Sequence, residues 1–201
     1  MDGSDFDARA QTWDTDDKRY RASRVADRLR ATVDLGTVGR ALEYGCGTGL
    51  LSFELKDELA EVVLADTSEG MLNVARAKIA DSGSNHFCAA LLDLAAGDSV
   101  DAPFDLVFTL LTLHHIPDTE AILGAFHDAL NPGGHLVIVD LDAEDGSFHG
   151  PEIDVHHGFK RGRLASQIEA AGFSAPAIDD CLQLNRHERD YGLFIACARR
   201  I

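Results

Sequence analysis

Short apolar runs of strand length alternate along this chain with segments of amphipathic-helix character, and that alternation leaves few folds open. The runs are Ala41-Leu42-Glu43-Tyr44, Val62-Val63-Leu64-Ala65, then residues 86–92, 104–111 and 135–141. Continuous apolar strands spaced by amphipathic helices predict a parallel sheet buried on both faces. The helices carry the matching period: Ala121, Ile122, Ala125, Phe126, Ala129 and Leu130 recur three or four residues apart. Asn131-Pro132-Gly133-Gly134 should stop that helix and turn the chain into the next strand. Leu164, Ile168 and Ala171 mark a later helix ending near Gly172.

Residues 177–184 and 191–198 read as two further strands, parted only by Asn185-Arg186-His187-Glu188-Arg189-Asp190. A link this short has no room for a helical crossover, so the pair should be antiparallel. The expectation is five βα units closed by an antiparallel hairpin. Residues 40–201 form this core within one domain overall. Residues 1–39, with a helix marked by Val25, Leu29 and Val33 and with the only tryptophan, Trp13, read as a helical cap or lid over the sheet edge.

Charge narrows the partners. Lys and Arg number 18 against 34 Asp and Glu, a net charge of −16. Nucleic-acid affinity comes mostly from phosphate neutralisation by basic faces, so no nucleic-acid partner is expected. The start Met1-Asp2-Gly3-Ser4-Asp5 is acidic and polar, unlike a leader peptide, and no run nears the roughly 20 apolar residues of a membrane span. A cytoplasmic location without membrane association is expected. Cys46, Cys88, Cys181 and Cys197 make no metal spacing. The last three sit in apolar strand-like runs and are expected as buried, reduced thiols.

Chemistry enters at Glu43-Tyr44-Gly45-Cys46-Gly47-Thr48-Gly49, which follows the first strand and opens a helix. Glycines let a backbone turn sharply and approach a ligand, and a helix amino end presents free N–H groups. Dinucleotide-binding loops share that logic. Here, however, Leu50 stands where their third glycine belongs, and Glu43 would be badly placed beside a pyrophosphate but well placed beside an ammonium. Asp66, about 20 residues on at the end of the second strand, is positioned to accept from two ribose hydroxyls in either ligand class.

Taken in order, Phe6-Asp7-x-x-Ala10-x-x-Trp13-Asp14, the glycine loop, Asp66, Leu92-Asp93-Leu94, Phe104-Asp105-Leu106-Val107, Leu113-His114-His115-Ile116 and Leu130-Asn131-Pro132-Gly133-Gly134-His135-Leu136 cover nearly the whole chain. In that order and spacing the sequence resembles the class I S-adenosylmethionine (SAM)-dependent methyltransferases, particularly the group acting on small molecules. The resemblance implies a Rossmann-like three-layer α/β sandwich with a seven-stranded, mostly parallel sheet whose last strand is antiparallel. It implies SAM as cofactor, S-adenosylhomocysteine as product and a small-molecule methyl acceptor. Gly45, Cys46 and Gly47 would pack against the methionine part of SAM, with Glu43 near its ammonium. Asp66 and Thr67 would meet the ribose, and Met71, Asp93 and Leu94 the adenine. Leu110, with Leu111, would floor the sulfonium. Cys46 reads as a small space-filler rather than a nucleophile. An NAD(P)-dependent oxidoreductase and a non-catalytic SAM-binding protein are the alternatives.

Methyl transfer needs alignment above all, and a base only where the acceptor must lose a proton. His114, His115, Asp140, Asp142, His156 and His157 fall near the ends of the fourth and fifth strands. Of these, His115 and His157 are the candidates for touching substrate. Adjacent histidines on a strand or helix point apart, so no metal site is expected from His114, His156 and Asp140. Trp13, Tyr20 and Arg24 are candidates for a lid that closes the acceptor pocket.

Overall fold

The computed structural model describes residues 3–150, 152–186 and 188–201, with side chains from Phe6 onward. Met1, Asp2, Pro151 and His187 lie outside the described residues. In chain order the elements are α1 (Gly3–Arg9), α2 (Asp16–Thr32), β1 (Ala41–Tyr44), α3 (Leu50–Glu54), β2 (Val62–Asp66) and α4 (Glu69–Ser82). There follow β3 (Phe87–Leu91), β4 (Phe104–Leu110), α5 (Thr119–Ala129), β5 (Leu130–Leu141), α6 (Arg161–Ala170), β6 (Ala177–Arg186) and β7 (Arg189–Arg199).

One seven-stranded sheet has the order β3-β2-β1-β4-β5-β7-β6. The five strands β3 to β5 pair parallel, while β7 lies antiparallel between β5 and β6. The α/β sandwich with an antiparallel last strand is therefore as expected. Alternation along each strand feeds two separate cores. Ala41, Leu106, Phe108, Val137 and Val139 face Val25, Ala26 and Leu29 of α2, Leu51 of α3 and Leu72 of α4. Leu42, Val107, Leu136 and Ile138 face Ile122 and Phe126 of α5 and Leu164 and Ile168 of α6. Helix layers on both faces are what continuous apolar strands require.

Three sequence expectations need adjustment. The hairpin strands reach two residues further toward each other than the polar stretch suggested, because Asn185 and Asp190 pair across the ladder through both backbone and side chains. Residues 131–134 loop out of a strand that already begins at Leu130, since the register jumps from Phe104–Leu130 to Leu106–His135. Of the three cysteines expected to be buried, Cys181 and Cys197 are half-buried and Cys88 is exposed. Cys88 alternates with the buried Phe87 on β3, an edge strand, and so points to the opposite face. Among the described residues, no helix is long and apolar enough to cross a membrane.

At β1 and β4 the strand order reverses direction from the chain's first strand, and the loops leaving their carboxyl ends diverge. That switch point is where open α/β sheets leave a crevice for ligands. The loop after β1 and the turn after β4 meet there.

Candidate active site

The loop after β1 has the backbone that its glycines permit. Gly45, Gly47 and Gly49 have φ of +70°, +55° and +79°. A Cβ on Gly45 would sit 2.2 Å from Thr112 Cγ2, so the β1 and β4 loops are in contact through this glycine. Thr112 Oγ1 donates to the Gly45 carbonyl at 3.3 Å. A Cβ on Gly47 would meet only ordinary contacts, the nearest being Trp13 Nε1 at 3.5 Å and Met71 Sδ at 4.0 Å.

These elements wall a cavity of about 300 Å³. Of the residues assigned to a cofactor from the sequence, Glu43, Gly45, Cys46, Gly47, Asp66, Thr67, Met71, Asp93 and Leu110 line it; Leu94 does not, its place being taken by Ala95. Asp66 accepts from Gly47 N at 2.7 Å and Ser68 N at 2.9 Å, which fixes its carboxylate across from the loop. Burial raises its pKa above the usual carboxylate value. Glu43, 3% exposed, accepts from the backbone N of Ser52 at 3.1 Å and from its hydroxyl. Burial drives its pKa up to about 7, only partly offset by those bonds. Asp93 takes the Ala96 N–H at 3.0 Å and caps the short 3-10 turn after it. The Cys46 thiol is buried and pushed well up in pKa by that burial, which keeps it protonated and fits a space-filler.

The amino-terminal segment roofs this cavity with Phe6 and Trp13. Two carboxylates hold it down. Asp7 accepts from Ser68 Oγ at 2.6 Å and Gly70 N at 2.7 Å, at the start of α4. Asp14 accepts from the Thr48 hydroxyl and pairs with Lys78 at 2.5 Å, while Lys78 also donates to the Thr48 carbonyl. Arg24, expected in the lid, instead pairs with Asp27 at 3.0 Å on the surface of α2. Arg21, one turn earlier, lines the cavity, and its Nε is buried without a hydrogen-bond partner. The sequence reading missed Arg21 because helix phase, and not residue type, separates it from Arg24.

A second cavity of about 680 Å³ adjoins the first and shares Phe6, Trp13, Lys18, Arg21, Leu111 and His115 with it. Leu111 adopts φ +52°, an uncommon backbone for a leucine, at this shared wall. Here the structure corrects a sequence argument. His114 and His115 lie on a 3-10 turn after β4, and their ring centroids are 4.1 Å apart, so neighbouring histidines converge. His149, unnoticed in the sequence, joins them from the loop after β5, where no periodicity or motif marks it.

His114 is buried beside Asp140, with Nδ1 2.7 Å from its Oδ1, and its Nε2 is 2.9 Å from His149 Nε2. With Nδ1–H donated to the carboxylate, Nε2 of His114 is the acceptor and His149 donates to it. The ligand atoms of His114, His115 and His149 lie within 4.8 Å of one another, a grouping compact enough to hold a metal ion. Burial first, then the neighbouring imidazoles, lowers His115 to a pKa of about 3; burial and His114 lower His149 to about 4. Both are neutral at pH 7.

The remaining candidates lie elsewhere. His157 lines neither cavity, and its ring packs on Gly146. His156 bonds the Ile116 carbonyl at 3.0 Å, and Asp142 forms a two-point ion pair with Arg161, both at 2.7 Å.

Comparison with known proteins shows what this chain is similar to. Residues 42–136 match a family model described as a methyltransferase domain. The chain is 39% identical over 105 residues to a ubiquinone biosynthesis O-methyltransferase of Idiomarina loihiensis, covering 51% of this chain and 42% of that protein. It is 41% identical over 124 residues to the Ruegeria pomeroyi protein of the same name, covering 57% and 48%. The match thus spans about half the length of these curated relatives. Among solved structures, the N-methyltransferase NodS of Bradyrhizobium japonicum superposes with a TM-score of 0.72 at 20% identity, covering 94% of this chain and 90% of that one. The cyclase SpnF superposes at 0.74 and 17% identity, covering 89% and 81%, so the fold alone does not specify the reaction. Residues 42–136 thus resemble a methyltransferase domain, and the chain shares its fold with these solved structures.

Proposed function

We propose that this chain is a SAM-dependent methyltransferase acting on a small molecule. The observation that carries the reading is the pair of cavities meeting at one wall: the first has the groups for an adenosyl amino acid, and the second has room for an acceptor. The fit of the first is specific. Asp66 meets a ribose diol and Met71 an adenine face, while the missing Cβ of Gly47 leaves room between the loop and Trp13 and Met71. Glu43 suits an ammonium, and the unpartnered Nε of Arg21 suits a carboxylate. SAM, when bound, supplies an electrophilic methyl whose C–S bonding electrons pass to sulfur as the acceptor's lone pair forms the new bond.

The chain's own work is alignment and water exclusion. Phe6 and Trp13 roof both cavities, and the Asp7 and Asp14 contacts hold that roof closed. Holding reactants aligned is worth up to roughly 7–11 kcal/mol in favourable cases. The curated relatives carry O-methyltransferase names, which favours a hydroxyl acceptor and therefore a base. His115 at the shared wall and His149 in the second cavity are the neutral imidazoles there; lowered to about 3 and 4, they suit an acceptor whose hydroxyl is itself acidic, such as a phenol, rather than an alcohol. His149 is held by His114, itself fixed by the buried Asp140. His157 has no part in this reading.

Calorimetry with S-adenosylhomocysteine and, separately, NADH tests the cofactor. A ligand at 100 times its Kd stabilises the fold by about 2.7 kcal/mol, so melting should rise with S-adenosylhomocysteine and not with NADH. The reverse outcome overturns the reading. Turnover of labelled SAM on a metabolite mixture separates an enzyme from a protein that only binds the cofactor.

A further inference from the structure

The acidity of this chain is not shared by its second cavity. With 34 acidic residues against 18 basic ones, a random wall would be acidic. Instead Arg9, Lys18, Arg21 and Arg186 line the space, and Asp17 is the one carboxylate there. Elsewhere several basic groups pair with carboxylates, Arg30, Arg40, Arg76, Arg161 and Arg189 among them. Among the described residues, no ion pair joins Lys18, Arg21 or Arg186 to a carboxylate. Lys18 rests 3.3 Å from the Trp13 ring centroid and Arg186 4.7 Å from that of Phe148.

Cations gathered this way repel one another, and burial strips them of water. Lys18 is lowered to about 8, first by burial and then by Arg9 and Arg21, with Asp14 offsetting part; Arg21 is lowered by burial and then by Arg186, with Asp17 offsetting part. Such a wall is stabilised by an anion. The surfaces between the charges are apolar and aromatic, provided by Phe6, Trp13, Phe148, Leu182 and Leu184. Ligand cavities combine an apolar lining with a few convergent polar groups in just this way.

We propose that the methyl acceptor is an apolar, ring-containing organic acid, its carboxylate held by Lys18 and Arg186 while its body lies against Trp13, Leu182 and Leu184. Arg21, on the shared wall, is left to the cofactor's own carboxylate. Arg186 sits at the far end of β6 and lines only the second cavity, so it reads the acceptor and not the cofactor. Guanidinium is the better of the two cations for this, since its planar donors match a carboxylate and its face stacks on a ring.

The inference rests on the proposed SAM site, and the test keeps the two apart. S-adenosylhomocysteine is titrated first into the full chain. Into that loaded protein go matched pairs of ring acids and their amides: hydroxybenzoates, hydroxycinnamates and hydroxynaphthoates. The acids should bind tighter than their amides by about tenfold or more, the scale of one charge-assisted hydrogen bond. Arg186→Gln should remove most of that preference, and Arg186→Lys should keep part of it, with S-adenosylhomocysteine affinity unchanged in both. If the cofactor product binds but no acid binds better than its amide, or if R186Q leaves the preference intact, the acceptor assignment is wrong and the cofactor site stands. If S-adenosylhomocysteine itself fails to bind, both fall.

Discussion

Gly45→Ala separates the structural role of the glycine loop from its binding role. The added Cβ would lie 2.2 Å from Thr112 Cγ2, 2.4 Å from Oγ1 and 2.8 Å from Cβ. Because Thr112 Cβ is itself too close, no rotation of its side chain relieves the overlap, and the two loops must separate. The left-handed backbone at φ +70° adds roughly 1–2 kcal/mol for any residue with a Cβ, and overpacking adds about 1–3 kcal/mol. Together the loss of stability is about 2–5 kcal/mol, a large share of the 5–15 kcal/mol typical of a domain. Urea unfolding without ligand measures it, with the slope checked for two-state behaviour. Thr112→Ala in the same chain removes two of the three close atoms and should restore part of the packing loss, but none of the backbone strain. Gly47→Ala is the contrast. Its Cβ meets nothing nearer than 3.5 Å, so stability should fall only by the backbone share of about 1–2 kcal/mol. That Cβ faces Trp13 and Met71 across the first cavity, however, so affinity for S-adenosylhomocysteine should fall by more than stability does. Equal stability of Gly45→Ala and the parent chain would refute the assigned contact between the β1 and β4 loops.

Glu43, with a pKa raised by burial from 4.5 to about 7, is partly protonated at neutrality. Its share of stability is complete below pH 4.5 and is lost as pH rises through 7, a difference on the order of 3 kcal/mol that Glu43→Gln should remove from the pH–stability curve. An incoming ammonium favours the ionised form, so S-adenosylhomocysteine binding at pH 7 should release a proton, read as a buffer-dependent calorimetric heat that vanishes in Glu43→Gln. Asp14→Ala cuts the roof from Thr48 and Lys78 and should weaken S-adenosylhomocysteine by about tenfold, mostly as faster dissociation in stopped-flow; an unchanged off-rate would count against the lid. His149→Gln should lower turnover by about 10²–10⁴ if His149 serves as the base, with S-adenosylhomocysteine affinity intact, whereas full activity would leave His115 alone in that role. Dialysis against a chelator should leave activity unchanged; loss restored by a divalent cation would show that His114, His115 and His149 hold a metal.

Much of the fold was legible because its causes are local. Strands buried on both faces are apolar at nearly every position, so Val62-Val63-Leu64-Ala65 identifies a covered sheet without any partner being known. A six-residue polar link between 184 and 191 forbids a crossover, so the antiparallel hairpin follows from length. The glycine loop and Asp66 were legible because a tight turn and a strand-end carboxylate leave compact signatures in residue type. The acceptor side left none. His114, His115 and His149 come together because a 3-10 turn after β4 meets a loop 35 residues later, and Asp140 reaches His114 only because β4 and β5 are neighbours in the sheet. Arg186 and Lys18 share a cavity because β6 folds back under α2, a contact between the two ends of the chain. The sequence by itself determined the sheet and its glycine turn, since burial and backbone freedom act residue by residue. Only the tertiary structure decided which imidazoles meet and where the cations gather, because electrostatics depends on distances that chain order does not encode.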